Sequence, residues 1–211
     1  DCLKKYNKRL IYRLHDMDIL GPKTICGHCI HINEGEMDVL KTTDTMVVHN
    51  PESNMGNAVG CGPVLKMMEK GILVGLGTDG YTNDMLESLK VTNIIHKHQL
   101  CDPNAAWAEA PQMLYYNNRE IGARFFDTPL GVLKEGAAAD IIIMDYEPLT
   151  PMDESNINGH MLFGMSGKNT VMTMINGKVL MKDRKLIGID EKAILTQCRQ
   201  EAAKLWESIN S

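Results

Sequence analysis

The stretch KTICGHCIHI, residues 23–32, gathers four side chains with chemical reach: Cys26, His28, Cys29 and His31. Three chemistries share that lettering: a redox dithiol, half of a zinc site, or a buried strand that delivers one histidine. A reactive dithiol needs its first sulfur at a helix N-terminus, where the dipole stabilises a thiolate. KTI before Cys26 is strand-like, and IHINEGE opens no clear helix. A zinc knuckle needs a second ligand pair at compatible spacing, and Cys61, Cys101 and Cys198 each stand alone. The third reading is the strongest: a strand carrying His28, with Cys26 and Cys29 as packing residues.

Two further motifs carry less than their lettering suggests. GLGTDG, residues 75–80, fits the glycine fingerprint of a dinucleotide turn, but Asp79 would set a negative charge against the pyrophosphate. Where an acidic residue should follow about twenty positions on, the chain has HKHQL inside a helical pattern. On a helix, His96 and His98 point about 200° apart, so a solvated helix face is expected there rather than a metal pair. What survives is a pattern across three segments. The apolar runs leading into CGHC, VVHNP and GLGTDG stop at His28, His49 and Asp79. In parallel α/β folds the C-terminal strand ends carry the chemistry. Histidine exchanges protons near neutral pH, and aspartate binds a metal or takes a proton from its water.

The elements that must position these groups follow from the hydrophobic pattern. Residues 24–29, 45–49 and 72–77 are short apolar runs, separated by helical stretches over NEGEMDVLKTT and VLKMMEKG. Such alternation predicts adjacent parallel strands with His28, His49 and Asp79 converging at one end; it does not separate an open sheet from a closed barrel. CLKKYNKRLIYRLHDMDIL at the start reads as a helix, PESNMGNAVGCGP as a glycine-rich loop, and residues 84–100 as a longer helix. From residue 128 the texture changes to strands and turns. NGK at 176–178 is a hairpin signal, and residues 190–209 form an amphipathic helix capped by Asp190. The expected domains are 1–127, 128–188 and 189–211.

Composition narrows the function. The net charge is −5 and the single basic cluster is KKYNKR at 4–9, which speaks against a nucleic-acid surface and for a small-molecule substrate. No apolar run approaches the roughly 18 residues of a membrane span, and no signal peptide opens the sequence. Six cysteines without a framework pattern suggest reduced thiols and a cytoplasmic location. Fifteen methionines read as adaptable core filler.

Taken together, ICGHCIHI, HNPESN with the glycine-proline turn after it, and GTDG resemble the amidohydrolase superfamily. The likeness is nearest to its cytosine-deaminase-like aminohydrolase and chlorohydrolase branch, and within that to aminohydrolases associated with selenium metabolism. GVLKEGAAADIIIMDY and INGKVLMKDRKL are similar to that family's composite β-sandwich. The resemblance implies an α/β fold: the C-terminal half of a distorted (β/α)8 TIM barrel, part of a β-sandwich and a terminal helix. It implies that Asp79 binds the metal and takes the proton of the attacking water, and that His28 bonds the hydroxide or substrate and moves protons. It places His49 and Asn54 on a loop that shapes the substrate pocket. One divalent ion, zinc or iron, is implied, with C–N hydrolysis of an aminated ring.

The family's H-x-H after its first strand, and the histidine after its fifth strand with a glutamate three residues on, have no counterpart in this sequence. The sequence starts at Asp1, straight into a helical pattern, and reads as the interior of a longer protein. The 211 residues alone are therefore expected to hold no stoichiometric metal, to lack deaminase activity and to associate through unpaired strand edges. Two rival readings are a catalytically incomplete scaffold or binding member of the family and, less favoured, a redox module on Cys26 and Cys29.

Overall fold

The computed structural model describes residues 1–210. Two compact units emerge: Asp1–Ala137 with Tyr146–Lys168, and Ala138–Asp145 with the chain from Asn169 onward.

The first unit opens with two helices, α1 (Cys2–Tyr6) and α2 (Leu10–Asp16), rather than the single helix its sequence suggests. The break falls at Asn7, which adopts a left-handed φ of 50°, a conformation that asparagine tolerates better than most residues. Arg9, at the end of the basic cluster, bonds the buried Glu36 at 2.7 Å, so its charge serves an internal pair. Then come β1 (Ile25–Gly27), α3 (Glu34–Thr42), β2 (Met46–His49), α4 (Pro51–Gly56), α5 (Val64–Glu69), β3 (Val74–Leu76) and α6 (Met85–Leu100). The strands are parallel in the order β1-β2-β3, with Cys26 opposite Val47 and Val47 opposite Val74. Each expected strand is present, trimmed at its ends. Met46, Val47, Val74 and Leu76 are buried, and Met37, Leu40, Val64, Met67 and Leu89 of the flanking helices cover them. That is the double coverage which makes parallel strands read as continuous apolar runs. β1 lies at the sheet edge and stays half-exposed, with Ile25 at 44%. Met37, Met46, Met67 and Met113 do fill the core, while Met17, Met55 and Met152 are exposed.

The helix α3 begins with a capping box: Asn33 accepts from the Glu36 N–H, and Glu36 accepts from the Asn33 N–H. That reciprocal pair satisfies two donors that a helix start leaves orphaned. A helical run over 109–123, unanticipated from the sequence, contains a π-helical segment, Gln112–Asn117. Its consequence is local. Asn118 donates to the Leu76 carbonyl and accepts from the Leu76 N–H, each at 2.9 Å, and Asn117 donates to the Val74 carbonyl at 2.7 Å. Two side chains thus occupy backbone groups on the β3 edge that faces away from β2.

The second unit is one antiparallel sheet, β4 (Ile141–Met144), β5 (Thr170–Ile175), β6 (Lys178–Lys182) and β7 (Lys185–Leu186), in that order. The β5–β6 hairpin turns at Asn176 and Gly177 with φ of 46° and 77°, the paired positive angles that match strand twist. The final helix, Glu191–Asn210, starts where Asp190 accepts from the Ala193 N–H. No helix among the described residues is long and apolar enough to cross a membrane.

Candidate functional site

The three polar groups lie at the ends of β1, β2 and β3 in turn, His49 as the last residue of β2. His28 is the first residue past β1 and Asp79 lies three beyond β3. Both have left-handed backbone, φ 65° and 53°, which costs a residue carrying a Cβ about 1–2 kcal/mol. The turn after β1 is tight enough for the Cys29 N–H to reach the Gly27 carbonyl at 2.8 Å. These two loops turn their side chains toward each other over the end of β2. His28 Nε2 stands 3.6 Å from Asp79 Oδ2, and both side chains are about 40% exposed, at 41% and 42%.

The segment read from sequence as a glycine-rich loop is in part the helix α4, which starts on Pro51 directly after β2. A proline pre-organised for the first helical position explains the start. Because β2 is the middle strand, α4 reaches the loops of both neighbours. Ser53 donates from Oγ to Asp79 Oδ2 at 2.6 Å, and Asn54 Oδ1 lies 2.7 Å from His28 Nδ1. Asp79 Oδ1 also accepts from the Gly80 N–H at 2.7 Å. The Ser53 hydroxyl, then the Gly80 amide and the nearby His28 hold the Asp79 carboxyl below its ordinary pKa. It is therefore a carboxylate at neutral pH.

His28, Asn54 and Asp79 come together, with Ser53 as a fourth member that sequence reasoning missed. The available signal was the proline two residues before it, which marks a helix start. His49 is at the same end of the sheet but does not join them. Its ring has no exposed surface, lies 5.1 Å from that of His96, and neither of its nitrogens has a hydrogen-bond partner. Burial, then the neighbouring His96 and His28, pushes its pKa down to about 3. The pocket-shaping position expected for His49 thus does not match its placement beneath the site. His96 corrects a second expectation: it is buried, not solvated, and burial lowers its pKa to about 4. Its helix buries Ser88, Leu89, Thr92, Asn93 and His96 on one largely polar face.

Cys26 and Cys29 pack against the hydrophobic core, as expected. The neighbouring Cys29 thiol lowers the Cys26 pKa, while Cys26 and burial raise that of Cys29. A cavity of about 1150 Å³ opens beside His28 and Asp79, walled by Cys26, Leu10, Ile11 and Val59 among others. It offers an apolar wall with a polar pair at its edge, which suits a flat ring carrying a reactive polar group.

Asp79 fits the part of one metal ligand. Each of its oxygens accepts a single hydrogen bond, which leaves further lone pairs, and the carboxylate is partly open to solvent. Among the described residues no group of three or more His, Cys, Asp or Glu side chains could hold an ion. Since catalytic zinc sites generally use three protein ligands, these residues furnish only part of such a site.

Residues 1–180 match the profile of the Amidohydrolase family. A 5'-deoxyadenosine deaminase of Methanosarcina mazei is 34% identical over 215 residues, covering 99% of this chain and 48% of the relative. A 5-methylthioadenosine/S-adenosylhomocysteine deaminase of Syntrophomonas wolfei is 32% identical, covering 97% and 48%. Among solved structures, an adenosine deaminase from Xanthomonas campestris with bound zinc superposes with a TM-score of 0.86 at 23% identity, over 98% of this chain and 48% of that one. An atrazine chlorohydrolase from Arthrobacter aurescens, complexed with zinc, gives 0.75 at 20%, over 93% and 44%. The chain spans about half the length of the curated relatives it matches.

Proposed function

We propose, from the premise that the chain belongs to the amidohydrolase family, that it supplies the C-terminal half of a metal-dependent enzyme that deaminates a purine nucleoside. One observation carries the reading: His28 and Asp79, from the outer two of three adjacent parallel strands, meet 3.6 Å apart beside an apolar cavity.

A divalent ion, zinc or iron, supplies a water of lowered pKa when bound. Asp79 would contribute one ligand, and the other ligands belong to the rest of the enzyme. Held as a carboxylate by Ser53 and Gly80, Asp79 accepts a proton from the attacking water. His28, with Nε2 facing the same carboxylate oxygen, passes protons toward the departing amine and stabilises the charge developing on the ring. The two groups are close enough to hand over a proton after a small rotation, or through one water.

The substrate class rests on the relatives. Those named above act on 5'-deoxyadenosine, on 5-methylthioadenosine and S-adenosylhomocysteine, and on adenosine, all of which carry a 6-aminopurine. The narrower branch associated with selenium metabolism rests on motif likeness alone, so purine nucleosides come first. Six free thiols support a cytoplasmic setting.

The test is product chemistry. Full-length, metal-loaded enzyme is incubated with adenosine and 5'-deoxyadenosine in oxygen-18 water. Ammonia release with one heavy oxygen on the purine is expected. No ammonia from either nucleoside would set the purine reading aside, and halide release from a chlorinated ring would move the enzyme to the chlorohydrolase side of its family.

A further inference from the structure

We infer that Ser53 and Asn54 are a pair of positioning residues: Ser53 orients the Asp79 carboxylate, and Asn54 fixes the His28 ring with its proton on Nδ1. The inference rests on the catalytic reading of His28 and Asp79, and it revises the substrate-contacting role that sequence resemblance gave Asn54.

Successive residues of a helix point about 100° apart. Placed at the end of the middle strand, two adjacent side chains of one short helix therefore reach the loops on either side. Ser53 and Asn54 are 4% and 1% exposed, so neither offers a substrate much surface. Ser53 Oγ is committed to Asp79 Oδ2 and Asn54 Oδ1 to His28 Nδ1, while the buried Asn54 Nδ2 has no hydrogen-bond partner.

An amide oxygen only accepts, so the bond to His28 places the imidazole proton on Nδ1. In the neutral ring Nε2 then carries the lone pair, on the side of Asp79 Oδ2. Ser53, donating to that same oxygen, orients the carboxylate and leaves a lone pair of Oδ2 on the His28 side. A ring carrying its proton on Nε2 would enter the reaction unable to accept one there.

The platform itself is braced. Asn57 donates to the Ser53 hydroxyl at 3.3 Å and to its carbonyl at 2.9 Å. Glu52 of α4 accepts from Ser88 of α6 at 2.8 Å. A side chain added at Gly56 would strike the Tyr81 ring at about 2.0 Å, so the helix sits close against the loop that follows Asp79. Both loops hold His28 and Asp79 in left-handed conformations, where bracing matters more than in relaxed backbone.

The experiment combines a tautomer readout with kinetics on the full-length, metal-loaded enzyme. With histidine nitrogens labelled, the His28 resonances are identified by their loss in His28→Gln. The expected wild-type pattern is the Nδ1–H tautomer, retained in Asn54→Asp, which keeps an acceptor, and lost in Asn54→Leu. Asn54→Leu and Ser53→Ala should each lower kcat by about 10–100-fold with KM changed less than about threefold, since misplacement removes transition-state rather than ground-state interactions. Ser53→Thr, which keeps the hydroxyl, should recover most of the loss. An Nε2–H tautomer in the wild type would overturn the Asn54 assignment. So would a raised KM at unchanged kcat in Asn54→Leu, the mark of a substrate contact. Unaltered kcat in Ser53→Ala would remove Ser53. If the wild type deaminates no nucleoside, the proposed activity fails, and the nitrogen spectra still decide how His28 is held.

Discussion

Acidification should destabilise the first unit by charging two histidines that the fold keeps neutral beneath the site. Burial depresses His49 from an ordinary 6.5 to about 3 and His96 from 6.5 to about 4. A base whose folded pKa is depressed contributes its full stability above the unfolded value. That stability is lost as pH falls, because the unfolded chain takes up protons that the folded chain refuses. At about pH 5 both rings are still neutral when folded and mostly charged when unfolded. With ~1.4 kcal/mol per pH unit of separation, each then costs about 2 kcal/mol, and together about 4 kcal/mol. The assay is urea unfolding of the chain, followed by circular dichroism at about pH 7.5 and about pH 5. The comparison is with His49→Gln/His96→Gln, which cannot be protonated at these positions. Absolute stability will differ between the two proteins because the cores differ; the drop between the two pH values is the quantity compared. It should be about 3–4 kcal/mol smaller in the variant. An equal drop in both would refute the account of this pair as buried neutral bases.

Three other outcomes are expected. In the full-length enzyme, His28→Ala should lower kcat by about 100-fold or more, the scale of a general acid–base group, while metal content by elemental analysis persists. Asn118→Ala should cost about 1–3 kcal/mol in urea unfolding, because it strips partners from the N–H and carbonyl of the buried Leu76. The 211-residue chain alone should hold no stoichiometric zinc or iron after dialysis, since its described residues furnish no three-ligand group, and light scattering should show self-association through exposed sheet edges.

Much of this architecture was legible because its signals are local. TMVVHN and ILVGLG are apolar on both faces, as buried parallel strands must be, and the structure buries them. The NGK turn carries its own backbone requirement, and the hairpin forms there. The strand-end pattern anticipated that His28 and Asp79 would meet at one end of the sheet. What stayed hidden depends on polar groups that only the fold brings together. Ser88, Thr92 and His96 recur every fourth residue on α6 and are all buried, yet a search for apolar periodicity passes over a buried stripe of polar side chains. The same blindness hid His49, whose partner in space is His96, 47 positions further along the sequence. The helix α4 lay inside a stretch whose glycines suggest a loop, and its first turn rests on a single proline. Nothing local in HNPESN says that Ser53 will bond Asp79, because that contact spans 26 residues and requires β2 and β3 to be in register.

The central claim is that Asp79 works as a proton-accepting carboxylate in hydrolysis of a purine C–N bond. Ammonia release by the full-length, metal-loaded enzyme should be compared between wild type and Asp79→Asn, a change that keeps the shape and removes the charge. The expected result is rapid deamination by the wild type and a loss of about 1,000-fold or more in the variant. An Asp79→Asn enzyme turning over within about tenfold of the wild type would contradict the account.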